Sequence, residues 1–356
     1  MPGWAQPPSG GSDAARVSDS RIAVNALTPR RSADRRRPHG HVARPVHALE
    51  FSMSLASRIA DFDLLCGRFP CARPSPLVGV HTIPQARWER LRLAALVYVS
   101  KCLPGAPVIL DEGELLDALR RHRGAVPNIT PNGMIVPKRH TILEFNVLAR
   151  AFADVVAGLG IDDLVHAWHV PMNLRIKFDE VDEGNQGRAH QTELPHSDAW
   201  VGTASDSVLA HVPLFGDLER NHLTFYEPPA DFSEDWLAPL PRFADGQGYT
   251  ARYRPLGPLV RAGQLALADF AVIHESARLP GSGPRLSIDT GFRMRRGPIP
   301  DRAEMRASRA REYAEPEVLR HLGERWLMVF PDRPEDRVEN GGGARHPSNW
   351  KLVELC

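Results

Sequence analysis

Lysine is scarce in this chain. It occurs only at Lys101, Lys138, Lys177 and Lys351, although Lys and Arg together number 44. Arginine carries nearly all the positive charge, and with the abundance of Ala, Gly and Pro this points to a GC-rich bacterial coding sequence. A charge excess is also missing, since 44 basic and 43 acidic residues leave a net +1. Chains that bind nucleic acid normally carry a basic excess or stripe, so no nucleic-acid partner is expected. No apolar run reaches the roughly 18 residues that a transmembrane helix needs, so no membrane partner is expected. Cysteine is sparse as well. Cys66, Cys71, Cys102 and Cys356 form neither a CxxC nor a zinc-type spacing, and a reduced, cytoplasmic setting is the expectation. Cys66 and Cys71 are read as two neighbouring free thiols.

What is present suffices for a sizeable core: 356 residues, 42% of them hydrophobic and 24% charged. Residues 1–52 are rich in Gly, Pro, Ser and Arg and lack helical periodicity. They read as a disordered leader or an over-extended start, with the true start at Met53. Residues 53–164 form an N-terminal helical layer. SLASRIADFDLL has helical spacing, and QARWERLRLAALVYVSKCL is a helix ended by Pro104-Gly105. Asp111 caps EGELLDALRRHRG, with Gly124 beyond its end. Thr141-x-x-Glu144 is a capping-box pattern opening TILEFNVLARAFADVVAGLG, closed by Gly158 and Gly160.

The pattern changes after residue 164. LVHAWHVPMNLRIKFDE, SVLAHVPLFG, HLTFYEPP, GYTARYRPLG, GQLALADFAVIH and RLSIDTGFRMRR are β-rich segments punctuated by turns. Such a run without intervening helices predicts an antiparallel sandwich or jelly roll over residues 165–300. Residues 301–322 turn helical again, with a break near Pro316. The tail from Pro331 reads as loop.

Chemistry concentrates between His190 and Ser287. His196-Ser197-Asp198 places two potential metal ligands two residues apart, the spacing that puts both on one face of a strand end. His-x-Asp or His-x-Glu is weak alone, because about two such tripeptides arise by chance in a chain this long. The companion pattern carries more: His274 sits at the end of one strand-like stretch, and Arg285-x-Ser287 opens the next. Two histidines and a carboxylate suit non-haem Fe(II) and leave coordination positions open. Arg285 has a planar fork that matches a carboxylate. His166 and His169 lie on opposite faces of a strand and read as packing. His190, His211 and His222 have no partner at ligand spacing.

These residues, over roughly 165–295, make the chain resemble the Fe(II)/2-oxoglutarate-dependent dioxygenases, nearest to the phytanoyl-CoA hydroxylase-like branch. The Gly-x-Leu of GQLALADF before His274 is similar to that family's lead-in to its distal histidine. The resemblance implies a double-stranded β-helix (jelly roll, cupin-like) core with flanking helices. It implies Fe(II) on His196, Asp198 and His274, with 2-oxoglutarate and O2 as cosubstrates. Arg285 would pair with the distal carboxylate of 2-oxoglutarate and Ser287 would hydrogen-bond it. Halogenating members replace the carboxylate ligand with a small residue, so Asp198 disfavours halogenation.

The expected reaction is hydroxylation or another oxidative C–H transformation of a small polar metabolite. PHSDAW, NHLTFYEPP and the lead-in to LRIKF resemble oxygenases that tailor antibiotics, aminoglycosides among them. In MNLRIKF, Asn173, Arg175 and Lys177 share one strand face, which either lines the barrel mouth or is a solvated outer face. The acidic run Asp179, Glu180, Asp182 and Glu183 is either a solvated loop or a wall favouring a cationic amino sugar. Trp200, Phe225 and Tyr226 are core residues or a stacking wall. Two other functions stay open: a cupin-type isomerase without 2-oxoglutarate, and a non-catalytic jelly roll that binds sugar. Arg285-x-Ser287 weighs against the first and the intact ligand set against the second.

Overall fold

In the computed structural model, residues 54–103, 105, 107–123, 132–178, 187–231, 233–295, 313–329 and 351–355 are described, all within one unit spanning Leu49–Cys356. The leader 1–52 and the acidic run 179–183 lie outside the described residues.

Helices come first, where the apolar spacing predicts them. Helix α1 spans Leu55–Cys66, and the Ser54 side chain caps it by accepting from Ser57 N. Helix α2 spans Gln85–Cys102 and buries Leu91, Ala95 and Val99, one stripe at helical spacing. Helix α3 spans Glu112–Arg121, and Asp111 Oδ1 accepts from Glu114 N as its cap. Helix α4 spans Ile142–Ala157. Tyr98 packs edge-on to Phe145, 5.3 Å between centroids, and ties α2 to α4.

Thr141 does not form the expected capping box. Its hydroxyl accepts from Lys138 N and donates to Lys138 O, closing a single 3-10 turn over Arg139–Thr141 just upstream. A short polar side chain bonds whichever backbone group is nearest, and here that group lies on the N-terminal side.

The strands are β1 (Ala72–Ser75), β2 (Val78–Thr82), β3 (Val165–His169), β4 (Asn173–Lys177), β5 (Ser207–Gly216), β6 (Asn221–Glu227), β7 (Arg254–Pro258), β8 (Gln264–Asp269), β9 (His274–Arg278), β10 (Arg285–Met294), β11 (Tyr313–Ala314), β12 (Trp326–Val329) and β13 (Lys351–Glu354). One sheet runs β1-β2-β8-β5-β10-β3-β11, with β4 also paired to β10. A second runs β7-β6-β9. The segment before His196 extends the second sheet, because His196 and His274 exchange backbone hydrogen bonds at 2.9 and 2.8 Å and Ser276 N donates to Thr192 O.

The core strands in chain order are then β4, the 192–196 segment, and β5 through β10. First, eighth, third and sixth make one sheet; second, seventh, fourth and fifth make the other. This alternation between facing antiparallel sheets is the double-stranded β-helix, or jelly roll, with helices on its outside.

Burial follows the two-residue strand period. On β10, Leu286, Ile288 and Phe292 join Leu265 and Leu267 of β8 in the core shared with α1, α2 and α4. Ala266 and Ala268 face the other way, with Leu223, Phe225, Val78 and Val80, and fill one half of the barrel interior. Arg285, Ser287 and Asp289 alternate with the apolar residues of β10, so the other half of the interior is polar. Gly216 sets the start of that wall. Its φ is +106°, and a Cβ there would lie 2.1 Å from Pro284 O, so only glycine lets β5 close against the first residues of β10.

Three segments differ from expectation. GQLALADFAVIH is two strands, because the chain turns at Asp269–Ile273 and β9 begins at His274 in the opposite sheet. Within 301–322, residues 301–312 lie outside the described residues. Tyr313–Ala314 pairs with β3 as a strand, and the helix is only Pro316–Arg320. The tail is not all loop, since β13 pairs antiparallel with β12.

Candidate metal centre

His196 and His274 face each other across the backbone pair that joins their strands, with ring centroids 4.4 Å apart. His196 Nδ1 donates to Leu194 O at 2.7 Å, and His274 Nδ1 donates to Val272 O at 3.0 Å. Both rings spend the Nδ1 proton on a carbonyl of their own chain, which leaves Nε2 as the lone-pair nitrogen. Asp198 Oδ1 lies 3.9 Å from His274 Nε2. One ligand atom from each of the three side chains falls within 4.8 Å of the others, the span a single bound ion would close.

Asp198 does not sit in a strand as its spacing suggests. Ser197 caps a 3-10 turn over Asp198–Val201 by accepting from Ala199 N, and Asp198 is the first residue of that turn. The turn still brings the carboxylate beside both imidazoles. His196 and His274 are buried, whereas the Asp198 side chain keeps 29% exposure. Burial, then the neighbouring His274, hold His196 well below the usual histidine range. Phe243 stacks on His196 at 4.2 Å with 19° between the planes.

The polar half of the barrel adjoins this centre. Strand β4 pairs with β10 in the register Lys177↔Arg285, Arg175↔Ser287 and Asn173↔Asp289. The polar stripe of MNLRIKF therefore faces the barrel interior, and the solvated-face alternative is excluded. Arg285 is 2% exposed, and its Nε and Nη1 have no hydrogen-bond partner. Burial pushes it down to about 10, so the guanidinium stays charged at neutral pH. Two unbonded donors on a buried cation are unfavourable, so this fork is suited to receive an anion.

Ser287 is fully buried, but its hydroxyl donates to Asp289 Oδ2 at 3.2 Å, an interaction that spacing alone does not reveal. Asp289 also accepts from His211 Nδ1 at 2.6 Å and pairs with Arg175 Nε at 3.3 Å. Burial opposes its charge, yet His211, Arg175 and Arg285 hold it well below the usual carboxylate range. Burial lowers His211 while Asp289 pulls it up, and its Nδ1–H serves Asp289 as a hydrogen-bond donor. Glu193, three residues before His196, accepts from Lys177 Nζ at 3.2 Å and from Arg278 Nη2 at 2.6 Å. Asn173 is buried with its Oδ1 unpartnered.

Two expected wall residues are placed elsewhere. Trp200 has no exposed surface, and its indole N–H donates to Trp236 O within an aromatic cluster that includes Phe243. Tyr226 lies on the face of β6 opposite Phe225, the residue that pairs with His274, and its hydroxyl donates to Glu275 Oε1 at 2.6 Å. Both are framework residues behind the histidines. Glu180 lies outside the described residues.

Sequence reasoning misses Glu193, His211, Phe243, Arg278 and Asp289. Asp289 is accessible to it, since Arg285, Ser287 and Asp289 follow the two-residue strand period. His211 has no ligand nearby in sequence, and its partner lies across the sheet in register with it.

No protein-family model matches the chain, and no curated protein matches it. Among solved structures, the chain is similar to the non-heme alpha-ketoglutarate-dependent epimerase SnoN from nogalamycin biosynthesis, at 20% identity over 59% of this chain and 83% of that one, with a TM-score of 0.31. It is similar to an N-substituted L-amino acid dioxygenase from Burkholderia ambifaria AMMD in complex with alpha-KG, at 12% identity over 68% and 91%, TM-score 0.31. It is also similar to AviO1 from Streptomyces viridochromogenes Tue57, at 14% identity over 69% and 97%, TM-score 0.29. At such values the likeness carries no functional argument, and the functional reading rests on the geometry of the site.

Proposed function

We propose that the chain is an Fe(II)/2-oxoglutarate-dependent oxygenase that oxidises a C–H bond of a small polar metabolite. One observation carries the reading: a two-histidine, one-carboxylate cluster shares a barrel interior with a buried guanidinium whose Nε and Nη1 lack partners. A cupin-type isomerase or a jelly roll that takes a neutral sugar has no use for that orphaned cation.

The donor set fits Fe(II), with two imidazole Nε2 atoms, one carboxylate oxygen and open positions. The pocket wall fits a dicarboxylate, with the metal at one end and Arg285 at the other. When bound, Fe(II) with 2-oxoglutarate and O2 supplies an oxidant strong enough to remove hydrogen from an unactivated carbon. The chain's own groups do the placing. Leu194 O and Val272 O fix the ring orientations of His196 and His274. Phe243 covers one face of His196 and excludes water there. The exposed side of Asp198 is the direction from which substrate reaches the centre.

In the described wall Asp289 and Glu193 are already paired with Arg175, Lys177 and Arg278, and Arg285 adds a further positive charge, so a cationic amino sugar finds no support in it. That idea rests on residues 179–183 alone.

The test is consumption of 2-oxoglutarate with formation of succinate in the presence of Fe(II) and O2. Wild-type protein is expected to show slow turnover even without its substrate. Asp198→Ala should abolish it, and Arg285→Ala should raise the 2-oxoglutarate requirement by about 100-fold, the loss of a bidentate charged pair. Failure of the wild type to bind or consume 2-oxoglutarate would contradict the reading.

A further inference from the structure

Arg285 has a buried lysine directly opposite it. Lys177 on β4 is its register partner on β10, and each is 2% exposed. Direct partners on one sheet face stand with Cβ atoms about 5 Å apart. A charge on both at once is unfavourable unless an anion lies between them. Lys177 Nζ donates to Thr192 Oγ1 at 2.8 Å and to Glu193 Oε1 at 3.2 Å. An ammonium has a third N–H, and Glu193 is shared with Arg278. Asp289, the nearest carboxylate on β10, is bonded by His211, Ser287 and Arg175 instead.

We propose that Lys177 is a second anchor for the distal carboxylate of the dicarboxylate that Arg285 binds, and that it gains a proton as that ligand enters. This rests on the reading of the site as a 2-oxoglutarate pocket and adds a proton linkage to it. Burial pushes the Lys177 ammonium down to about 7; Glu193 opposes the fall, and Arg278, Arg175 and Arg285 add to it. Among the described residues, these and His196, which feels the charge of Lys177, are the charged and titratable groups coupled to it from β4, β9, β10 and the 192–196 segment. Below about 7 Lys177 is already charged before the ligand binds. Above it the amine is neutral, and a carboxylate arriving beside it favours the ammonium, so one proton moves from solvent onto Nζ. Affinity for 2-oxoglutarate therefore falls as pH rises above neutrality. At pH 8 uptake approaches roughly 0.9 proton per ligand bound.

The four lysines make a direct test possible. Lys101 and Lys351 are exposed and Lys138 is half-buried, so one signal of the lysine-labelled chain belongs to a fully buried amine. The full chain, labelled at lysine Cε and Nζ and loaded with zinc as a diamagnetic ion, is titrated by NMR with and without 2-oxoglutarate. One signal should titrate near neutral pH in the free protein and move to its ammonium position at pH 8 when 2-oxoglutarate is added. Lys177→Gln should remove that signal and weaken 2-oxoglutarate binding by about 10- to 100-fold, with zinc affinity unchanged. A buried-lysine signal that stays in place while 2-oxoglutarate saturates the protein overturns the inference alone, and the wild-type titration decides this even if the variant fails to fold. Equal affinity in wild type and variant also overturns it. Absence of any 2-oxoglutarate binding by the wild type overturns the inference together with the proposed function.

Discussion

Asp289 holds together the wall that faces the metal centre. It accepts from His211 and Ser287 and pairs with Arg175, so one carboxylate orients three side chains from three strands. Because it is held below the usual carboxylate range, it stabilises the fold above the unfolded carboxylate value of about 3.9. That contribution is lost as pH falls through the folded value. Asp289→Asn should cost roughly 3–5 kcal/mol at neutral pH, as expected when one partner leaves a buried charge cluster. Its stability should also fall less steeply than that of the wild type below about pH 4. Thermal unfolding from pH 3 to 7 checks both; parallel curves would refute the assigned role. A steric prediction belongs at this scale too. A Cβ on Gly246 would sit 2.3 Å from Trp200 Cη2, against a ring rather than a flexible tip. Gly246→Ala should cost about 1–3 kcal/mol of stability, and urea unfolding measures it.

At the scale of elements, α1 is pinned to the barrel beside the metal centre. Arg58 Nε donates to both oxygens of Asp269 at 3.1 Å, and its two terminal nitrogens reach the two oxygens of Glu234. Asp269 ends β8, and the turn after it leads to His274. Burial raises the Asp269 carboxyl to about 6, with Arg58 pulling it down. A raised value means that this group favours folding most below its unfolded value and loses that contribution as pH rises through 6. Arg58→Met removes the opposing charge. The variant should lose about 3–5 kcal/mol at pH 7 and less at pH 5, where Asp269 is protonated. An equal deficit at both values would contradict the clamp.

The elements also show which sequence signals are readable. Helices α1, α2 and α3 follow from apolar spacing and from caps at Ser54 and Asp111, all local signals. The β8–β9 break is hidden, because LALADFAVIH is largely apolar and only the switch between sheets separates its halves. The face of Asn173, Arg175 and Lys177 is equally hidden. Period two says that they share a side, but only pairing with β10 says which side. The candidate metal ligands His196, Asp198 and His274 are legible because their chemistry is rare in combination. Glu193, Arg278 and His211 are not, because their partners lie across sheets rather than along the chain.

At the scale of the whole molecule, two facing sheets place apolar packing in one half of the barrel and charge in the other. No helix among the described residues is long and apolar enough to cross a membrane. The candidate centre draws one histidine from each side of the His196–His274 strand pair, so an ion bound there would bridge segments far apart in sequence. An ion at 100 times its dissociation constant should therefore add about 2.7 kcal/mol of stability. Zinc or manganese should raise the melting temperature of the wild type, and Asp198→Ala should erase most of that rise.

The central claim is that His196, Asp198 and His274 hold Fe(II) while Arg285 holds the far end of a 2-oxoglutarate bound to it. The most direct measurement is the anaerobic visible spectrum during addition of 2-oxoglutarate to the Fe(II)-loaded chain. A weak charge-transfer band should saturate in the wild type, be missing in Asp198→Ala, and need about 100-fold more 2-oxoglutarate in Arg285→Ala. A wild-type protein that binds Fe(II) yet shows no band at any 2-oxoglutarate concentration would contradict the claim.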